Sequence, residues 1–121
     1  HPPVSRRDTS RLGDIVEAIE AIEAIKDHLT KGDLDEGLIY DAVRVRLIEI
    51  GEAVKGISTE LLDTELDIPW KAIARMRDHL AHRYFDTDHA IVQDVVDSEL
   101  DPLLHAVRSL LERPGPEADE S

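Results

Sequence analysis

Cysteine is absent from the chain, which excludes a disulfide framework and any thiolate-bound metal. Aromatic residues are scarce, with one Trp, one Phe and two Tyr among 121 residues. Sheet cores draw heavily on aromatic side chains, so this composition, dominated by Ala, Ile, Leu, Glu and Asp with 3% aromatics, suits helices rather than sheets. No apolar run approaches the ~20 residues that a membrane-crossing helix needs. Cations are also few: 14 Lys and Arg face 27 Asp and Glu, a net charge of −13. Such a charge argues against broad electrostatic capture of nucleic acid. Only two prolines, Pro69 and Pro102, stand away from the chain ends. The length fits one domain with a modest core.

One stretch departs from this background. Trp70 to Phe85 holds the only Trp, Met and Phe, one Tyr, and two of the six His. Lys71, Arg75, Arg77 and Arg83 oppose one acid there, Asp78, a net +3 that leaves −16 on the rest of the chain. A basic, His-containing island in an acidic protein is a place to expect chemistry on an anion. At about 100° per helical residue, Trp70, Ile73, Met76, Leu80 and Tyr84 form a packing stripe. Arg77 falls inside that stripe. A guanidinium in that position is either anchored to a carboxylate between helices, snorkelling to water, or poised for an anion. His82 would point about 140° away from Arg77 on a continuous helix. The two can meet only if the helix breaks before His82 or if two chains supply the pair. The bland reading of His82 is a surface or capping residue near a helix end.

The rest of the chain reads as helices and short connections. His1 to Asp8 lacks apolar periodicity and is expected to be a flexible tail, with Thr9 or Ser10 capping the first helix. Leu12, Ile15, Val16, Ile19, Ile22, Ile25 and Leu29 recur at three- and four-residue steps. Glu17, Glu20, Glu23 and Asp27 form the solvated face, and Gly32 ends the helix. Asp33 or Asp35 opens a second helix with Ile39, Ala42, Val43, Leu47, Ile50 and Val54 inward, ending at Gly56. Arg44 and Arg46 pair with acids such as Asp41, Glu49 or Glu52, or else one of them extends the basic island. Ser58 to Asp67 accommodates one short helical turn, and Pro69 suits the start of the helix that carries the island. After a turn at 86–88, with Asp88 as cap, a last apolar pattern runs from Ile91 to about Arg113. Asp101-Pro102 interrupts it as a kink or a cap. Residues 9–113 are thus expected to form one all-α domain, an antiparallel four- to five-helix up-down bundle, with an acidic flexible tail over 114–121.

Other chemistries fit poorly. His79 and His82, with Asp78, Asp86, Asp88 and His89, offer candidate metal ligands, but no second helix supplies a matching pair. A Gly-rich phosphate loop is absent, and scattered serines define no triad.

The order Arg77, four residues, His82, one residue, Tyr84 resembles the signature of the HEPN superfamily, specifically its HepT-like toxins. Arg11 to Ile19 is similar to the family's first helix, Leu47 to Ala53 to its second-helix motif, and Ile68-Pro69-Trp70 to the start of its third. The resemblance spans roughly Ser10 to Glu112. Asp78 stands where Asn is commoner, and Arg83 where a small residue is usual. The resemblance implies a dimerising bundle with two motif copies around one cleft. It implies a metal-independent endoribonuclease, cytoplasmic, acting on RNA and not on DNA or membranes. It also implies a type VII toxin–antitoxin pair in which a cognate nucleotidyltransferase (MNT) antitoxin AMPylates Tyr84. The homodimer could enter a larger heteromeric assembly. Arg77 and His82 would be catalytic, Asp78 and Tyr84 supporting, with no cofactor or metal. The rival reading is a non-catalytic HEPN helical module that binds a nucleotide or the nucleotidyltransferase.

Overall fold

A computed structural model describes residues 4–82, 92 and 94–113. Among these residues the structure is helical, with no strand. Helix α1 spans Arg6–Lys31, α2 Glu36–Gly56, α3 Thr59–Leu62, α4 Trp70–Ala81 and α5 Leu100–Leu111. Residues 94–98 are also helical and lead into α5. The all-α bundle expected from the sequence is therefore present. Helix α1 packs mainly on α2 and also on α5, while α2 packs on its other side against α4.

Local chemistry sets the helix ends. Gly32 closes α1 in the left-handed conformation, at φ 67°, and its N–H bonds to the His28 carbonyl. Asp35 caps α2, its carboxylate accepting from the Gly37 and Leu38 amides. The short connection between them folds α1 and α2 into an antiparallel hairpin. Glu99 breaks the last apolar segment, and α5 starts at Leu100. Pro102, in the first turn, lacks the N–H that would bond to Ser98, so the sequence interrupts one helix there. The inward stripes fall where the periodicity put them. Leu12, Ile15, Ile19 and Ile22 of α1 meet Leu47 and Ile50 of α2, Leu80 of α4 and Val107 and Leu110 of α5, all 0–1% exposed.

The start of the chain corrects one expectation. Helix α1 begins at Arg6, not after Thr9, and its cap is Ser5, whose hydroxyl accepts from the Asp8 amide at 3.0 Å. Val4 is buried. The Asp8 carboxylate, also buried, accepts from the Ser58 amide at 3.1 Å and the Ser58 hydroxyl at 2.8 Å. Residues 4–8 therefore belong to the domain: a charged acceptor ties the first turn of α1 to the turn between α2 and α3. The expected 114–121 tail and the Asp88 cap lie outside the described residues.

Candidate active site

The apolar face of α4 fixes where the basic island points. Trp70, Ile73, Met76 and Leu80 are buried against the bundle, and the Trp70 indole N–H donates to the Glu65 carbonyl at 3.0 Å. Arg77 lies beside that face, at the contact with α2. The approach of the two helices there is unusually close. A Cβ placed on Gly51 would lie 2.5 Å from the Arg77 Cβ and 3.2 Å from the Ile73 carbonyl. Only a residue without a side chain lets α4 settle on α2 at this point.

The next residues of α2 take hold of what Gly51 lets in. Glu52 forms an ion pair with Arg77 through Nε. Arg77 Nη1 donates to Asp78 Oδ1 at 3.2 Å, and Lys55 Nζ donates to the same Asp78 oxygen at 2.8 Å. A row of alternating charges, Glu52, Arg77, Asp78 and Lys55, thus crosses from α2 to α4 and back. The side chains are partly exposed, between 36% and 49%. The hydrogen bonds from Lys55 and then Arg77 hold the Asp78 carboxyl below the usual carboxylate range. The Asp78 hydrogen bond and the Glu52 carboxylate push Arg77 above its ordinary value, against a small desolvation effect. Both groups are therefore ionised at neutral pH. What this depression of Asp78 adds to stability is complete above a pH of about 4 and is lost as pH falls through the lowered value.

The end of α4 supplies the second part of the site. Ala81 is the last helical residue, and His82 is its exposed C-cap at φ −88° and ψ −3°. Arg44 reaches over from α2 and donates to the Leu80 carbonyl, one of the acceptors that a helix end leaves open. The helix ends before His82, but the His82 backbone keeps near-helical dihedrals, so the end of α4 does not by itself turn His82 toward Arg77. The structure brings Arg77 and Asp78 into one cluster and leaves His82 one turn further on. Tyr84 lies outside the described residues.

Sequence reasoning placed one acid differently. Glu52, read as a candidate mate for Arg44 or Arg46, belongs to Arg77; Arg46 pairs with Glu49 at 3.1 Å, one of the acids expected for it. Lys55 was not singled out, and the signal for it was the i, i+3 step from Glu52 on the same helix face. His79, weighed as a metal ligand beside His82, lines a different feature. It borders a groove of about 350 Å³ between α4 and the segment leading into α5, together with Arg75, Met76, Asp94 and Glu99.

The family described as Ribonuclease HepT-like matches residues 15–110, which includes the whole cluster and His82. The chain belongs to the HepT-like ribonuclease family. Several curated proteins are similar to the chain. A protein of Thermococcus cleftensis named “Probable ribonuclease HepT” is 34% identical over 102 residues, covering 83% of this chain and 92% of its own. A “Putative RNase” of Caldanaerobacter subterraneus is 39% identical over 88 residues, 69% of this chain and 79% of its own. A Methanocaldococcus jannaschii protein named “Gamma-glutamylcyclotransferase and putative RNase” is 34% identical over 102 residues, 84% of this chain. The chain spans only 46% of that last relative's length. No solved structure matches the chain.

Proposed function

We propose that this HepT-like chain is the toxin of a type VII toxin–antitoxin pair and cleaves RNA without a metal ion. The observation that carries the reading is the Arg77–Asp78 pair, held ionised at a solvent-facing helix contact one turn before a His at the helix end. RNA contains its own nucleophile. In the proposed step His82 takes the proton of a 2′-hydroxyl, the 2′-oxygen bonds to the adjacent phosphorus, and the bond to the 5′-oxygen breaks. The leaving 5′-oxygen receives a proton, which gives a 2′,3′-cyclic phosphate and a 5′-hydroxyl. Arg77 offers its Nη2 N–H groups and its charge to the non-bridging oxygens, where charge builds in the pentacoordinate state. Asp78 restrains the guanidinium.

Two copies assemble the site in this reading. Leu38 and Val45 are 62% and 50% exposed and lie a heptad apart on α2, in line with Glu52. Two exposed apolar side chains on the line that leads to Glu52 suit contact with a second copy, which would bring a second His82 to the cleft. Light scattering that finds a monomer at micromolar concentration refutes this part. The antitoxin is a nucleotidyltransferase that transfers AMP from ATP to Tyr84. The phenol oxygen bonds to the α-phosphorus, pyrophosphate leaves, and the phenol proton is lost. The added charge of about −1 then competes with RNA for the cations. Mass spectrometry that finds AMP on another residue overturns this assignment.

The net charge of −13 favours a second reading, a helical module that binds its nucleotidyltransferase without cleaving RNA. Protein purified without a partner and assayed on RNA in EDTA separates the two. The expected products are 2′,3′-cyclic phosphate and 5′-hydroxyl ends, at an undiminished rate. Cleavage that returns only with added divalent metal contradicts the mechanism, and cleavage under no condition favours the binding module.

A further inference from the structure

We propose that Glu52 is a positioning residue that fixes the Arg77 guanidinium at Nε, so that its remaining Nη2 N–H groups meet an RNA phosphate in one orientation. The inference rests on the ribonuclease reading above, in which Arg77 binds the reacting phosphate. A guanidinium recognises phosphate through a planar fork, so its value depends on where the plane points. An Arg side chain on a helix surface has several rotatable bonds between backbone and fork, and on its own it samples many planes. Here neighbouring residues of α2 remove that freedom at both ends. Gly51 accepts the base of the side chain, since a Cβ on Gly51 would lie 2.5 Å from the Arg77 Cβ. Glu52 pairs with the head at Nε, an atom shielded from water at this helix contact.

The remaining contacts favour orientation over blockade. Asp78 takes only Nη1, and its own carboxylate is shared with Lys55 Nζ at 2.8 Å. The Nε and Nη1 contacts leave the Nη2 N–H groups as the part of the fork directed to a third acceptor. Residues 51, 52 and 55 of α2 thus set the direction of residues 77 and 78 of α4. Glu49, one turn earlier on α2, is engaged by Arg46 instead.

The test uses the full chain and its Glu52→Gln, Glu52→Asp and Glu49→Gln variants. Cleavage of an RNA oligonucleotide is measured at saturating and limiting substrate, and the Arg77 Nε–H resonance is followed by nitrogen-15 NMR. Glu52→Gln is expected to lower kcat by about tenfold or more with KM changed far less, because a misdirected fork fails chiefly in the transition state. Its Arg77 Nε–H should also lose protection from exchange with water. Glu52→Asp should recover part of kcat, and Glu49→Gln, which removes the same charge from the same helix, should change neither readout. Cleavage by Glu52→Gln as fast as wild type or faster makes Glu52 a mere competitor of phosphate and overturns the proposal. A fall in activity that only tracks the folded fraction also overturns it, since Glu52 is then structural. If the wild-type chain cleaves no RNA, the functional reading fails by itself. The Arg77 Nε–H signal still decides whether Glu52 holds the fork.

Discussion

Arg77→Ala is expected to slow RNA cleavage by roughly 10²–10³-fold, and His82→Ala by roughly 10²–10⁴-fold, with the fold of each variant intact. The two effects arise differently. In the proposed step Arg77 supplies charge where the phosphorane gains it, so its loss should fall on kcat and kcat/KM alike. In that step His82 takes the 2′-hydroxyl proton, so its loss should also change the pH profile. Neither residue is in the core. Arg77 is 36% exposed, and His82 is an exposed helix cap. Stability should therefore change by no more than about 1 kcal/mol for either, a shift of a few degrees in Tm. The double variant should be little worse than the poorer single one, because the two act in one step. Single-turnover cleavage and thermal melts measure both sides of the statement. Wild-type rates in either single variant would remove that residue from the mechanism.

Gly51→Val is expected to be the most damaging single change away from the reacting groups. The first added carbon already lies 2.5 Å from the Arg77 Cβ and 3.2 Å from the Ile73 carbonyl. Both neighbours are parts of α4 that cannot swing aside as the end of a flexible side chain can. Helices α2 and α4 must move apart, and that opens the contact around Ile73, Met76 and Ile50. Overpacking of this kind costs about 1–3 kcal/mol, roughly 4–15 °C in Tm for a domain of this size. Activity should fall further than stability, since the same displacement pulls Glu52 and Lys55 away from Arg77 and Asp78. Gly51→Ala should show the same pattern more weakly. Gly13→Ala serves as the control, because nothing lies within 4 Å of a Cβ there. A Gly51→Val protein with unchanged Tm would mean that the helices do not pack as closely as described.

Much of this was legible because helix periodicity reports burial directly. Each inward residue named for α1, α2 and α4 from spacing alone is buried or partly buried where the structure describes its side chain. Gly32, Asp35 and Pro102 announced helix ends through backbone chemistry that does not depend on the rest of the fold. The site was legible in part. Spacing placed Arg77 at a helix contact, and its anchoring by a carboxylate between helices was among the readings weighed. Which carboxylate was not legible, because a helix face names a direction and not the partner helix that meets it. Glu52 could have paired locally, and only the crossing of α2 with α4 at Gly51 decides for Arg77. The first turn of α1 was missed for a different reason. One buried Val4 has no periodicity, but Ser5 followed by Asp8 is a capping pattern that marks a helix start.

The alternating row Glu52, Arg77, Asp78 and Lys55 has a consequence for how a polyanion reaches the site. Two cations and two anions sum to zero, so the row is felt only within a few ångströms, while the chain as a whole carries −13. A nuclease with a basic surface draws RNA in over long distances and slows as salt is added. In the proposed reaction a chain of this charge repels RNA at a distance and attracts it only on contact. Raising ionic strength from about 0.01 to 0.15 M shortens the Debye length from roughly 30 Å to 8 Å, which screens the repulsion but barely touches contacts at 3 Å. The encounter rate, read as kcat/KM, should therefore rise with salt over that range, and a monotonic fall would show that the basic island around Lys71 and Arg75 outweighs the net charge of the chain.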